Sequence, residues 1–197
     1  GNGASVETLA NFAATATGPE RDAARESLKW MKGSDVDEAI AKQISSAQDR
    51  TKAELVRAAA VRLMKPQMDE LLAYVNDSDE SIRTPVIYNV GKLAELKDLP
   101  KILKALAINS EQSAGAVNEA VLRICSRAGD ADKQAAALIA VMKTVDPAAQ
   151  IVAVKTLANI KGDTALAGLH DAAKSDNALV KEVAEKALAA RAPKATK

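Results

Sequence analysis

Two side chains in this sequence could, by their chemical type, take part in nucleophilic catalysis: the only cysteine, Cys125, and the only histidine, His170. A thiol or hydroxyl nucleophile needs a nearby base. His170 has Asp171 and Lys174 beside it, but no serine or cysteine is placed near it as a nucleophile would be. Cys125 occupies an apolar position of a helical pattern, which indicates a small core residue. The sequence therefore predicts no catalytic residue, and we do not expect an enzyme.

Metal and phosphate binding also lack the residues that they require. A zinc site takes three or four ligands, mostly histidine, cysteine or carboxylate, and the chain has one histidine and one cysteine to offer. Gly1-Asn2-Gly3 precedes no predicted strand, and Gly91 and Gly115 stand alone within helical segments. These glycines do not have the arrangement of a phosphate-binding loop. We therefore expect no metal site and no cofactor.

Charge and aromatic content bear on the kind of partner. The chain of 197 residues has 27 basic and 26 acidic residues, a net charge of +1, and 2% aromatic residues. Surfaces that grip nucleic acid are usually basic and often carry aromatic side chains, so no nucleic-acid partner is expected. No apolar run approaches the roughly 18 residues that a membrane span needs, so no membrane insertion is expected.

The elements that must position any site are helices, because one helical pattern returns six times along the chain. All six aligned segments have Ala or Val at the fifth residue and an apolar residue at the ninth. The ninth residues are Leu28, Met64, Val90, Cys125, Leu157 and Leu188. They are separated by 36, 26, 35, 32 and 31 residues. A period of this length is typical of a solenoid built from one repeated unit.

Amphipathic segments also lie between the aligned ones, which predicts a helix pair, A then B, in each repeat. The predicted A helices are Val6–Thr15, Val36–Ala47, Gln67–Val75, Leu99–Ile108, Asp130–Lys143 and Thr164–Lys174. The predicted B helices are Pro19–Met31, Ala53–Met64, Ile82–Leu93, Ala114–Arg127, Pro147–Ile160 and Leu179–Ala190. Pro85 falls inside the third B helix and is expected to shift its start or bend it.

These patterns predict an all-α fold, a right-handed α-α superhelix of about six helix pairs, as a single solenoid domain over residues 1–190. Residues 191–197 lack the apolar stripe and are expected to form a disordered tail or the start of a linker. The chain begins without methionine, which suggests a trimmed N-terminus. The compartment stays open between a soluble cytoplasmic protein and an exported, periplasmic one.

The turns before two B helices carry a further pattern, an acidic turn followed by an apolar residue and a basic residue. It reads Asp77-Ser-Asp-Glu-Ser-Ile82-Arg83 in one place and Ser175-Asp-Asn-Ala-Leu-Val180-Lys181 in another. The pattern resembles HEAT repeats, specifically the short bacterial HEAT-like repeats of phycobilisome-lyase-type proteins. The resemblance covers roughly residues 5–190 and implies the solenoid fold.

The resemblance also implies a ladder between repeats in which turn aspartates pair with basic residues of the helices. Asp79 with Arg83 and Asp176 with Lys181 fit this ladder. Asn118 and Gln150, at the corresponding positions of the fourth and fifth aligned segments, depart from it and would interrupt the ladder.

Helix geometry assigns a candidate binding face to the B helices. At about 100° per residue, the first, fifth, eighth and ninth residues of each segment share the core face, and the third, seventh and tenth point to the opposite, concave side. Solenoids commonly bind partners on that side. The candidate binding residues there are Arg62, Lys65, Tyr88, Arg123 and Lys155, a basic stripe with Tyr88 as its aromatic anchor. Pairs within single helices, such as Glu119 with Arg123, leave open that this is only a solvated face. If the face binds a partner, these five side chains are expected to be contiguous, exposed and, at least in the middle of the patch, free of acidic partners within the chain.

The favoured function is therefore a non-catalytic scaffold, expected to be a monomer, that binds a protein or peptide partner, expected to be acidic, on the concave face. One alternative is an accessory HEAT-like module of a larger, exported bacterial multidomain enzyme whose catalysis lies elsewhere. A third is an enzyme acting on nucleic acid or on a tetrapyrrole, which the resemblance in repeat type suggests.

Overall fold

The computed structural model describes residues 1–108 and 111–191, and within them it contains twelve α-helices and no strand. The first six are α1 (Val6–Thr15), α2 (Gly18–Trp30), α3 (Ser34–Ser46), α4 (Asp49–Val61), α5 (Met68–Ala73) and α6 (Glu80–Leu93). The other six are α7 (Leu99–Ala107), α8 (Ala114–Cys125), α9 (Ala131–Met142), α10 (Pro147–Leu157), α11 (Asp163–Ala172) and α12 (Ala178–Arg191). Every predicted helix is present, so the all-α prediction with six helix pairs is confirmed.

The helices fall into two compact units. The first comprises Gly1–Leu93 and contains α1 to α6, and the second begins at Ala94 and contains α7 to α12. In the first unit α4 packs against α1, α2, α3, α5 and α6, and in the second α10 packs against α7, α8, α9, α11 and α12. A B helix therefore lies at the centre of each unit. The single domain over residues 1–190 stays a prediction.

Small side chains let neighbouring helices approach closely. A Cβ atom at Gly168 of α11 would lie 2.6 Å from Cδ1 of Ile139 and 2.9 Å from Cδ2 of Leu157. Cβ atoms do not normally come this close to other heavy atoms, so α11 packs against α9 and α10 at a distance that only glycine permits. The core of a chain so poor in aromatic residues is built from such contacts and from aliphatic side chains.

Helix α6 continues through a proline that the sequence predicts to shift or bend it. Pro85 has no N–H to donate to the carbonyl of Ser81, four residues earlier. Nε of Arg57, on α4, donates to that carbonyl oxygen at 3.2 Å. The neighbouring B helix thus supplies the hydrogen bond that proline removes, and α6 runs from Glu80 to Leu93 without interruption.

A buried ion pair links α2 to α4. Nε and Nη2 of Arg25 donate to the two carboxylate oxygens of Glu54 at 2.8 and 2.6 Å, and the residues are only 4% and 1% exposed. Nη2 of Arg25 also donates to the hydroxyl of Ser81 at 3.1 Å, so the pair reaches α6. Burial alone would lower the pKa of Arg25, but the bonds and charge of Glu54 outweigh it and raise that pKa. The arginine therefore stays charged inside the protein.

Asp79 joins the same helices from the turn before α6. Its Oδ1 accepts from the backbone N–H and the hydroxyl of Ser81, and its Oδ2 accepts from Arg50 of α4 at 2.6 Å. Arg83 donates to the carbonyl of Asp77 at 2.7 Å. Asp79 therefore forms an ion pair between repeats with Arg50 of the preceding B helix.

The expected pair of Asp176 with Lys181 is wrong. Both residues are exposed, and neither side chain makes an ion pair within the described residues. The turn is organised by Asn177, whose Oδ1 accepts from the backbone N–H groups of Leu179 and Val180. An uncharged residue therefore caps the start of α12, as asparagine commonly does.

Arginines close the C-terminal ends of two B helices, an arrangement that we call the carbonyl clasp. Nη1 of Arg62, at the end of α4, donates to the carbonyls of Leu28, Lys29 and Met31 at 3.0, 3.1 and 2.8 Å. The last carbonyls of a helix have no partner within the helix, and a cation there is also favoured by the helix dipole. The clasp thus joins the end of α2 to the end of α4.

The second carbonyl clasp corrects the predicted boundary of the folded region. Arg191 is the last residue of α12, and its guanidinium donates to the carbonyls of Leu157, Ala158 and Ile160 at the end of α10. The placement of Arg191 in a tail is therefore wrong, because this side chain holds two B helices together. Residues 192–197 lie outside the described part of the chain.

Asp79 makes the stability of the protein sensitive to acid. Burial would raise the pKa of Asp79, but hydrogen bonds from Ser81 and Arg50 outweigh it and lower the pKa from 3.8 to about 2. Because the folded-state value lies below the unfolded one, the stabilisation is complete above about pH 4 and is lost as pH falls towards 2. We expect Asp79→Asn to lose on the order of 2 kcal/mol at neutral pH, with a flatter decline below pH 4 in urea unfolding followed by circular dichroism.

The matched control for this acid test is Asp171→Asn, which removes an exposed carboxylate whose ion-pair partner within the described residues is Lys174, just beyond the end of α11. That variant should follow the wild-type pH profile. Equal loss of stability by the wild type and Asp79→Asn between about pH 4 and pH 2 would contradict the assignment.

Candidate functional site

The two side chains with potential for nucleophilic chemistry lie in unlike surroundings. Cys125 is fully buried at the end of α8, and burial raises the pKa of its thiol to about 11. The thiol is therefore protonated at neutral pH, whereas the thiolate is the reactive form. His170 lies exposed on α11, and its side chain makes no hydrogen bond within the described residues. The prediction that Cys125 is a small core residue is confirmed.

The described residues contain neither a cluster of metal-ligating side chains nor a helix suited to crossing a membrane. Within residues 1–108 and 111–191, no three histidine, cysteine, aspartate or glutamate side chains are grouped so that they could hold a metal ion. In the same part of the chain, no helix has both the length and the apolar character needed to span a bilayer. The expected absence of a cofactor stays a prediction.

Of the predicted binding residues, Arg62 has a structural role. Besides its carbonyl clasp, Nε donates to Oδ1 of Asp37 at 2.6 Å, and its side chain is 9% exposed. The expectation that Arg62 is exposed and free of acidic partners is therefore wrong. Helical geometry placed it correctly at the surface end of α4, but the carbonyls at the end of α2 attract the guanidinium inward.

Lys65 and Tyr88 lie in the first unit as well. Helix α4 ends at Val61, Leu63 has a positive φ of 59°, and the exposed Lys65 begins a short 3-10 helix. The prediction that Lys65 continues the concave face of the second B helix is therefore wrong, because that helix ends before Lys65. Tyr88 is half-buried on α6, and Nζ of Lys92 lies 4.4 Å from the centre of its ring. A cation already occupies one face of this aromatic side chain.

Arg123 and Lys155 lie in the second unit, and both have carboxylate partners. Nη2 of Arg123 donates to Glu119 at 3.0 Å, one turn earlier on α8, which is the intrahelical pair expected from the sequence. Lys155 pairs with Glu111, 44 residues earlier in the chain. The expectation that Lys155 has no acidic partner is therefore wrong. Whether these five residues bind a partner stays a proposal.

A groove between α8 and α10 brings Lys155 together with residues that the sequence did not single out as binding residues. We call it the amide groove, and its volume is about 250 Å³. It is lined by Ala114, Gly115, Val117, Asn118, Val152, Lys155, Thr156 and Asn159. Its floor is apolar and its rim carries two carboxamides and one ammonium group.

The two carboxamides of the amide groove are joined and also keep hydrogen-bonding capacity. Nδ2 of Asn159 donates to Oδ1 of Asn118 at 3.1 Å and to the carbonyl of Lys155 at 2.9 Å. Within the described residues, Nδ2 of Asn118 and Oδ1 of Asn159 have no hydrogen-bond partner. The rim therefore offers a donor and an acceptor side by side.

A second depression continues the same face towards α12. It lies between α10 and α12, shares Lys155 and Glu111 with the neighbourhood of the amide groove, and is floored by Ala158, Val183 and Ala187. Its polar edge includes Lys186, which pairs with Glu182 at 2.5 Å on its own helix. Three B helices of the second unit thus present one continuous surface with apolar depressions.

Asn118 and Asn159 escaped the sequence analysis for a physical reason. In the sequence, Asn118 stands out only because it departs from the basic ladder. Asn159 lies just beyond the end of α10, outside the helical pattern. Their meeting depends on how α8 packs against α10, because 41 residues separate them. A polar uncharged residue at a position that is basic in other repeats was the one available signal.

Comparison with known proteins supports the fold. No protein-family model matches the chain, and no curated protein matches it in sequence. Among solved structures it is similar to importin beta, crystallised in an ammonium sulfate condition, with a TM-score of 0.52 and 16% identity. That similarity covers 92% of this chain and 29% of importin beta, so the chain spans less than a third of the length of that protein.

Two engineered proteins are more distantly similar. One is a designed armadillo repeat protein in complex with the peptide (KR)4, with a TM-score of 0.36 and 17% identity over 94% of this chain and 98% of that one. The other is described as an engineered protein, with a TM-score of 0.39 and 17% identity over 95% and 88% of the two chains. From the helix pairs and the likeness to importin beta, the fold is that of the HEAT-like helical-repeat solenoids.

Proposed function

We propose that the protein is a non-catalytic scaffold that binds an extended segment of another protein along the face of α8, α10 and α12. The observation that carries this proposal is the amide groove, an apolar floor beside two carboxamides with unused hydrogen-bonding capacity. The face belongs to B helices, which the sequence analysis assigned to partner binding.

The size of the amide groove favours a peptide over a small molecule. Small-molecule sites usually have volumes of about 300–1,000 Å³, and the amide groove has about 250 Å³ and is open to solvent along its rim. That space fits an aliphatic side chain, with Val117 and Val152 beneath it. A peptide backbone presents N–H and C=O groups at regular intervals, which match the free donor of Asn118 and the free acceptor of Asn159.

Charge contributes to this proposal through Lys155 and Lys186. Both already pair with carboxylates, Glu111 and Glu182. A partner carboxylate would replace an existing ion pair at the surface, where such pairs are worth little. The partner is therefore an acidic or neutral peptide held mainly by its backbone and one apolar side chain, and ionic strength affects its affinity only modestly.

Selection from a displayed library of random linear peptides tests this function. We expect peptides with a recurring aliphatic residue to be enriched, and their binding to the Asn118→Ala/Asn159→Ala variant to be at least about tenfold weaker, because backbone hydrogen bonds and hot-spot contacts at the groove are lost. Affinity is measured by fluorescence anisotropy of the labelled peptide with the full chain.

A matched control is available in the first unit. The hydroxyl of Thr51 donates to Oδ1 of Asn11 at 2.9 Å, so this pair is also an exposed side-chain hydrogen bond between helices. The Asn11→Ala/Thr51→Ala variant should bind the selected peptides as the wild type does. The proposal is contradicted if both double variants bind equally well, or if the library yields no peptide that binds.

A further inference from the structure

The amide groove and the second depression lie on the two sides of α10, at nearly the same level along that helix. In and just after α10, the side chains that line the amide groove range from Val152 to Asn159, and those that line the second depression are Lys155 and Ala158. The midpoints of these two sets differ by about one residue, which is about 1.5 Å along the helix axis. Lys155 lines both, so this side chain, with its partner Glu111, forms the ridge between them.

The spacing of packed helices sets the distance between the two depressions. Helix α10 packs against both α8 and α12, and the axes of packed helices lie about 8–10 Å apart. The depression between α8 and α10 is therefore about 8–10 Å from the depression between α10 and α12. A peptide that crosses α10 and fills both must present two apolar side chains, on one side of its backbone, at this distance.

The polyproline II conformation matches this distance better than a β-strand does. It has three residues per turn and rises about 3.1 Å per residue, so side chains three residues apart point the same way and lie about 9.3 Å apart. Side chains on one face of a β-strand are two or four residues apart, which gives about 6.6 or 13 Å. Neither distance places one apolar side chain in each depression.

The carboxamides of the amide groove disfavour an α-helical partner. Nδ2 of Asn118 and Oδ1 of Asn159 have no hydrogen-bond partner within the described residues. The backbone groups inside a helix bond to one another, whereas a polyproline II segment has no internal hydrogen bonds and leaves its backbone groups available. A helix with its side chains is also about 10–12 Å wide, which is too wide to enter a groove of about 250 Å³.

From this geometry we propose that the partner segment binds in the polyproline II conformation and crosses α10 with two apolar residues three positions apart, one in each depression. The inference rests on the proposed function and adds a second apolar anchor to it. The second depression has a volume of about 510 Å³ and an apolar floor of Ala158, Val183 and Ala187, so it accepts leucine or phenylalanine. The residue whose N–H meets Oδ1 of Asn159 is not proline, which has no donor, but proline at neighbouring positions favours the bound conformation.

Labelled peptides that differ only in the spacing of two leucines test this inference, with the full chain and fluorescence anisotropy. The leucines are two, three, four or seven residues apart in a framework of alanine and serine. We expect spacing three to bind at least about tenfold more tightly than the others, because each of the others leaves one leucine unburied. Proline in place of one residue between the two leucines should tighten binding further, because it reduces the entropy lost on binding.

Two variants each fill one depression. Gly115→Leu places a side chain in the amide groove, where a Cβ atom at Gly115 would meet no atom within 4 Å, and Ala187→Leu does so in the second depression. Ala187→Leu should weaken the spacing-three peptide at least about tenfold and leave a peptide with a single leucine unaffected. Gly115→Leu should weaken both peptides. Circular dichroism checks that both variants keep the helical fold.

The outcomes separate this inference from the function on which it rests. If peptides bind the wild type more tightly than the Asn118→Ala/Asn159→Ala variant, but spacing three is not preferred, the inference is overturned and the proposed function stands. The same conclusion follows if Ala187→Leu binds the spacing-three peptide as the wild type does, because the second depression is then not used. If no peptide binds the wild type, both proposals fail.

Discussion

Replacing Glu54 by alanine is expected to lower the free energy of unfolding by about 3–5 kcal/mol, because it leaves the buried guanidinium of Arg25 without its counter-ion. Both carboxylate oxygens of Glu54 accept from Arg25, and both residues are almost fully buried. The hydroxyl of Ser81 also accepts from that guanidinium, and it carries no charge. Urea unfolding followed by circular dichroism measures the loss.

The double variant Arg25→Met/Glu54→Leu is the control for this expectation. It removes both charges and fills the same space with apolar side chains, and buried ion pairs replaced in this way often leave stability unchanged or increased. Most of the loss seen with Glu54→Ala should therefore be recovered. A double variant as unstable as the single one would show that the ion pair itself, and not the uncompensated charge, stabilises the three B helices.

Replacing Arg57 by alanine is expected to cost about 1–3 kcal/mol in the wild-type background and clearly less when Pro85 is also alanine. In the wild type the carbonyl of Ser81 receives its hydrogen bond from Arg57, because Pro85 has no N–H. Pro85→Ala restores the donor within α6, so the carbonyl no longer depends on the neighbouring helix. A double-mutant cycle, measured by urea unfolding, should show a coupling of about 1 kcal/mol or more.

The charge of Arg57 lies in an unfavourable environment, so the stability of the single variant combines a lost hydrogen bond with a relieved repulsion. The double-mutant cycle separates the two effects. Burial, and after it the charge of Arg25, lowers the pKa of Arg57, so its removal also relieves an unfavourable interaction. The control is Pro100→Ala, since Pro100 lies in the first turn of α7, where a missing N–H leaves no carbonyl without a donor. Arg57→Ala and Pro100→Ala should be additive, and additivity of Arg57→Ala with Pro85→Ala would contradict the proposed role.

Local patterns were sufficient to predict the helices. The period of apolar residues and the prolines at first helical positions, such as Pro19 and Pro147, placed all twelve helices close to their observed bounds. The fate of Pro85 was not predictable in the same way, because the donor that replaces its N–H comes from a residue 28 positions earlier. The sequence of α6 alone predicts only that a hydrogen bond is missing at Pro85. It does not show that Arg57 of another helix replaces the donor.

For the candidate binding residues too, the sequence predicts which side chains lie on the surface but not which partners they contact. A helical wheel identifies which side chains leave the core, and it placed Lys155 beside the amide groove. It cannot say which carboxylate or carbonyl a long side chain reaches, because Arg62, Lys155 and Arg191 find their partners 25 to 44 residues away. Asn118 and Asn159 were missed because each has little meaning until α8 packs against α10.

The carbonyl clasp has a consequence for how such a chain can lengthen. Each clasp has two halves, an arginine that reaches back and a set of carbonyls that is reached, and they lie 31–34 residues apart. A gene duplication that copies one such stretch copies both the arginine and the carbonyls. The new helix pair can therefore form the same hydrogen bonds with the helix pair before it and the one after it. The two clasps keep this separation of 31–34 residues although the aligned segments that they join lie 36 and 31 residues apart.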